Sequence, residues 1–107
     1  MANAMRMRAT LEADVATVKV LMQHDMETGL RKDKDTGKFI PAHFINQVTA
    51  TLNGMTVLEA QWGVGVAKNP FFEFRVKGAK AGDKIAVHAV DNLDAQYDGE
   101  AEIASPA

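Results

Sequence analysis

Phe44-Ile-Asn-Gln-Val-Thr-Ala-Thr-Leu52, then Asn53-Gly54, then Met55-Thr-Val-Leu-Glu-Ala-Gln-Trp62 is the stretch that sets the architecture. Asn-Gly between two β-rich runs is a two-residue hairpin signal, because both central residues of that turn need positive φ. Val48, Ala50 and Leu52 then face inward, with Thr49 and Thr51 outward. On the return run Leu58, Ala60 and Trp62 share one face.

Outward from this hairpin the same period of two recurs. Met5, Met7, Ala9 and Leu11 alternate with Arg6, Arg8 and Thr10. Residues 15–22 fit either a helical stripe or a strand face. Val15, Thr17, Val18 and Val20 are β-branched and stiff in helices, so a strand is expected, with Ala16, Val18, Val20 and Met22 on one face. After the hairpin, residues 63–70 read as a loop closed by Asn69-Pro70. Phe72, Phe74 and Val76 alternate with Phe71, Glu73 and Arg75. Ile85, Val87 and Ala89 alternate with Lys84, Ala86 and His88. Asp91-Asn92 reads as a turn, and Tyr97, Gly99, Ala101 and Ile103 form a last alternating face before a tail at 104–107. About seven short strands without a helix predict an all-β, immunoglobulin-like antiparallel β-sandwich, in one domain over 1–107. No cysteine is present, so no disulfide joins the sheets. Trp62 and the three phenylalanines of 71–74 are expected to supply that packing.

Composition removes several function classes. Lys plus Arg is 12 against 14 Asp plus Glu, which leaves no basic footprint for nucleic acid. Without cysteine there is no thiol nucleophile, thiolate zinc site or iron–sulfur ligation. No apolar run approaches the length of a membrane span. Nothing at the start reads as a signal peptide, so composition alone predicts a cytoplasmic protein.

One segment departs from the alternation: residues 24–44, with two of the three histidines, a charge run and Pro41 among apolar residues. Thr28-Gly29 and Asp35-Thr36-Gly37 are turn chemistry. Pro41 lacks an N–H, which keeps its surroundings off a central strand. Met22, His24 and Met26, joined by His43, form a possible soft-ligand set for copper. Methionine is also the usual gap-filler of cores. Asp25, Glu27, Asp33 and Asp35 lie beside Arg31, Lys32, Lys34 and Lys38, which fits a solvated loop better than acid–base chemistry with shifted groups. Ser105 is the lone serine, and no nucleophile elbow is present. Contact with a protein partner is the favoured use of this segment. The candidate interface residues are His24, Met26, Leu30, Arg31, Lys32, Phe39, Pro41, His43, Phe44 and Phe71, since aromatic and arginine side chains anchor interfaces well.

Val18-Lys-Val-Leu-Met22, followed by His24-Asp-Met-Glu-Thr-Gly-Leu-Arg-Lys-Asp33, resembles the SoxZ family of sulfur-oxidation proteins. The resemblance continues in order through Gly37-Lys38, Ile40-Pro-Ala-His-Phe-Ile45, Asn53-Gly54, Trp62-Gly63, Lys68-Asn-Pro-Phe71 and Gly82-Asp83-Lys84. Asp25, where proline is common, and Ala67, where serine is expected, depart from it. The resemblance implies a non-catalytic, cofactor-free subunit of the SoxYZ carrier. Its partner SoxY bears the cysteine that carries thiosulfate-derived sulfur covalently, while other Sox enzymes visit transiently. It also implies a periplasmic location reached by export with SoxY, in place of the cytoplasmic expectation. Self-association of the isolated chain is a further expectation, because an uncovered sheet face invites pairing. The alternative expectation is a periplasmic copper-binding sandwich using Met22, His24, Met26 and His43.

Overall fold

The computed structural model describes residues 5–63, 65, 66 and 68–104. The parts of the 63–70 loop at Val64 and Ala67, and the tail with Ser105, lie outside them. Among the described residues seven strands follow one another: β1 (Met5–Glu12), β2 (Val15–Met22), β3 (Ile45–Leu52), β4 (Met55–Gln61), β5 (Phe71–Lys77), β6 (Lys84–Asp91) and β7 (Gln96–Glu102). They form two antiparallel sheets, ordered β1-β2-β5 and β4-β3-β6-β7. The expected all-β sandwich is what the chain adopts.

The placement of β4 follows from the turn before it. Asn53 and Gly54 both have positive φ, at 49° and 86°, as the two-residue hairpin demands. Such a short link leaves β4 nowhere to lie but beside β3. This puts the fourth strand in the sheet of β3, β6 and β7, a variant of the immunoglobulin arrangement in which it joins the first, second and fifth.

The inward faces are those the alternation predicted. Ala16, Val18, Val20 and Met22 of β2 are fully buried and cluster with Val48, Ala50, Ile85, Val87 and Ala89 of the other sheet. The strand reading of 15–22 therefore holds over the helical one. The aromatic packing needs one correction. Trp62 meets Phe72 edge-on at 5.3 Å, and Phe72 stacks near Phe74 at 6.0 Å. Phe71 lies on the opposite, outward face of β5 and is 61% exposed, because neighbours along a strand point to opposite sides.

The molecule is elongated. Its radius of gyration is 16.0 Å and its long axis 54 Å, against roughly 13 Å for a compact chain of this size. Strands of seven or eight residues span only about 25 Å. Residues 23–44, between β2 and β3, supply the additional reach as an arm at one end of the sandwich.

Candidate functional site

The arm has two legs that pair with each other at intervals. Near the body, Glu27 and His43 exchange backbone hydrogen bonds of 2.6 and 3.0 Å. Further out, Lys32 bridges to Phe39, with Ile40 N–H donating to Arg31 O and Asp33 N–H to Lys38 O. The tip closes at Gly37, whose N–H reaches Asp33 O at 2.8 Å. Gly29 lets the legs approach: its φ is 85°, and a Cβ there would sit 3.2 Å from the Ala42 Cβ. Along the outer arm Arg31 forks onto the Glu27 carboxylate, and Lys32 lies over the Phe39 ring, 5.1 Å from its centroid.

At the base, both legs are clamped to the body. The burial alternation of β2 continues past its last residue, so His24 and Met26 point inward as Met22 does. His24 Nε2 lies 3.3 Å from Asp91 Oδ2, and His43 Nε2 lies 2.7 Å from the same oxygen. The Tyr97 hydroxyl donates to it at 2.6 Å. The other oxygen, Oδ1, accepts the N–H groups of Leu93 and Ala95, each at 2.9 Å. Asp91 is thus fully buried at the end of β6 with five donors around one carboxylate. Its neighbour Asn92 holds the second leg, donating to Ala42 O at 2.8 Å and accepting Phe44 N–H at 2.8 Å. Asn69 holds the first, accepting the His24 N–H at 3.0 Å while its own N–H donates to His24 O. The His24 ring packs edge-on against His43 and Tyr97, with centroids 4.4 and 5.3 Å away. A depression of about 240 Å³, lined partly by His24, His43, Asn69 and Tyr97, opens over this cluster.

The hydrogen bonds determine the state of these groups. Burial is the largest influence on Asp91 and pushes its carboxyl up. The bonds from Tyr97, Ala95 N–H, His43 and His24 together outweigh it and hold the carboxyl well below its usual range. Burial, then the bond to Asp91, raises the Tyr97 phenol well above its ordinary value. His24 Nδ1 accepts the Met26 N–H at 2.9 Å, so its proton sits on Nε2 and faces Asp91.

That tautomer decides between a lock and a metal centre. His24, His43 and Asp91 each present a ligand atom within 4.8 Å of the others. A metal on His24 Nε2 would move the ring proton to Nδ1, against the Met26 N–H that now donates there. The O···N separation of 2.7 Å to His43 is a charge-assisted hydrogen bond. The thioether part of the copper expectation is also corrected, because Met26 Sδ lies 3.4 Å from Ile45 N and accepts its N–H. Met22 is fully buried in the core. The arrangement favours a hydrogen-bonded lock.

The ten candidate interface residues separate into groups. His24 and Met26 are buried in the lock, and His43 and Phe44 are half-buried beside it. Leu30, Arg31, Lys32, Phe39 and Pro41 are exposed along the arm, Leu30 at 80% and Phe39 at 60%. Phe71 stands apart, on the outer face of β5 opposite Leu21. Sequence reading missed Asp91, Asn92, Asn69 and Tyr97. The first two read as a turn and the last as one inward strand position. A buried tyrosine whose hydroxyl needs a partner was the available signal.

No curated protein sequence matches the chain. Among solved structures it resembles a superoxide reductase (neelaredoxin) from Archaeoglobus fulgidus, E12Q mutant, at 18% identity and TM-score 0.65, covering 96% of this chain and 90% of that one. A hypothetical protein from Pyrococcus horikoshii gives 17% identity and TM-score 0.65, covering 92% and 86%. A superoxide reductase from Ignicoccus hospitalis gives 16% and 0.63, covering 96% and 80%. At such identities these likenesses concern the sandwich fold alone. A family model, by contrast, matches residues 5–102, from the first strand through the last, and its description is sulphur oxidation protein SoxZ. The chain belongs to the SoxZ family.

Proposed function

We propose that this protein is the non-catalytic subunit of a SoxYZ carrier in periplasmic thiosulfate oxidation. It binds SoxY, whose cysteine holds the sulfur covalently, and helps present that cysteine to the other Sox enzymes. The observation that carries this reading is the family match over 5–102 in a chain without a cysteine of its own. The arm supports it physically. Its base is held by a saturated buried network, while its outer part presents Leu30, Phe39, Arg31 and Lys32 to solvent. A stiff base with exposed apolar and cationic side chains suits contact with a protein at low ordering cost. The cations also favour an anionic thiosulfonate passing nearby.

Co-expression with SoxY followed by size-exclusion chromatography tests the proposal. A 1:1 complex is expected; separate elution at micromolar concentration would refute it. Arg31→Glu with Lys32→Glu is expected to weaken the complex or slow sulfur loading at fixed salt. Unchanged values in both assays would remove the arm from the proposal.

A further inference from the structure

We propose that the outer face of the three-stranded sheet is a docking surface, and that the partner meets it with carboxylates around an aliphatic or aromatic residue. This rests on the complex proposed above and names the surface that forms it.

The strand register lays out the face. Arg6, Leu21 and Phe71 form one row across β1, β2 and β5, and Arg8, Lys19 and Glu73 form the next. Arg6, Arg8, Lys19, Leu21 and Phe71 line an open groove of about 480 Å³. Arg8 and Lys19 stand directly opposite each other, and like charges in that position destabilise a sheet. Among the described residues none of Arg6, Arg8, Lys19 or Glu73 makes an ion pair. The face therefore holds Arg6, Arg8 and Lys19 in excess over Glu73, the cross-strand neighbour of Lys19, beside two exposed apolar side chains, Leu21 at 38% and Phe71 at 61%. Arginine beside an aromatic ring is the composition of interface centres. An acidic surface relieves the repulsion that the fold leaves in place.

The opposite sheet has the reverse polarity. Its outward positions include Glu59, Asp98, Glu100 and Glu102, with Lys84 as a cation already paired to Glu100 at 3.3 Å. An acidic partner is repelled there and attracted to the β1-β2-β5 face. The apolar row also lies at the arm end of the groove. Met22 N–H donates to Pro70 O at 3.0 Å, and Asn69 N–H to His24 O at 2.8 Å, so Phe71 immediately follows the segment bonded to the arm's base. One partner surface can cover both groove and arm.

The test uses the complex with SoxY and compares wild type, Arg6→Glu with Lys19→Glu, and Asp98→Lys with Glu100→Lys. All four positions are exposed or outward, and thermal melting checks that each variant stays folded. The basic-face variant is expected to bind about 100-fold more weakly at low salt, mainly through slower association. The difference should shrink near about 0.5 M salt. The acidic-face variant should bind as wild type. Phe71→Ala should lose about tenfold through faster dissociation. Absence of a wild-type complex would refute the proposed function and this surface with it. A complex within about twofold for Arg6→Glu with Lys19→Glu would overturn the docking surface and leave the function standing. Sedimentation of the isolated chain covers the other occupant: self-association lost in the basic-face variant, with SoxY affinity intact, would assign the face to a second copy and overturn the proposal.

Discussion

The two ends of the 23–44 arm use similar residue types for opposite purposes. At the tip, Asp33, Lys34, Asp35 and Lys38 crowd together in sequence. The Asp33 side chain does no more than accept the Asp35 N–H at 2.8 Å to shape a turn. At the base, a single aspartate, Asp91, comes from the end of β6, nearly fifty residues beyond His43, and gathers donors from both legs and from β7. Density of charge along the chain marks the solvated end. Convergence of distant donors on one buried carboxylate marks the structural end. Water screens and satisfies the first group, whereas the second centres on a carboxylate that is fully buried among protein donors, which makes each bond costly to lose.

The strongest way to break this contrast is Asp91→Ala. Five donors lose their acceptor in a buried site, and a loss of about 3–5 kcal/mol is expected in urea unfolding. A loss below about 1 kcal/mol would show that water replaces the carboxylate and that the base is no lock. Tyr97→Phe removes one donor and keeps the ring. It should cost about 1.5–3 kcal/mol, as for a hydrogen bond to a charged group. Gly29→Ala addresses the arm between its ends. The positive φ and the 3.2 Å approach to Ala42 predict a cost of about 1–2 kcal/mol. Amide exchange should quicken in the legs but not in β3. At the tip, Leu30→Ser and Phe39→Ser should leave the unfolding midpoint nearly unchanged, within about 0.5 kcal/mol. Under the proposed function, their effect is expected in SoxY binding instead.

The pH dependence sharpens the same comparison. In the unfolded chain Asp91 titrates near 3.8, and in the folded chain it stays ionised to lower pH. As pH falls past that value the unfolded chain takes up the proton first, so stability drops on the acid side. Tyr97 runs the other way. Unfolded it ionises near 10.0, folded it keeps its proton to higher pH, and stability drops as pH rises past 10.0. Equilibrium unfolding from acid to alkaline pH should show both declines. Tyr97→Phe should abolish the alkaline contribution, whereas Leu30→Ser and Phe39→Ser should keep the wild-type profile.

Much of the sandwich was legible in the residues. Asn53-Gly54 predicted the β3–β4 hairpin because few residues tolerate two successive positive φ values. Alternation predicted the inward faces of β1, β2, β5, β6 and β7, because burial in a sheet has a strict period of two. The long blocks around Met26–Asp33 and Ile40–Ile45 carried the family. The interior of the arm was read less well. His24 and Met26, grouped with exposed contact residues, are buried because the β2 alternation runs on beyond the ladder. Phe71 was counted both with the packing aromatics and with the contact residues, and the same rule settles it as outward.

Sequence by itself determined the strand count, the hairpin, the faces and the family, since each depends on local backbone preference or on ordered motifs. Tertiary structure alone decided that Asp91, Asn92, Asn69 and Tyr97 hold the arm's base. Those residues are distant in the chain, and each hydrogen bond depends on where two sheets bring their ends. It also decided that Arg8 faces Lys19, since register pairs strands side by side and no single strand states its neighbour.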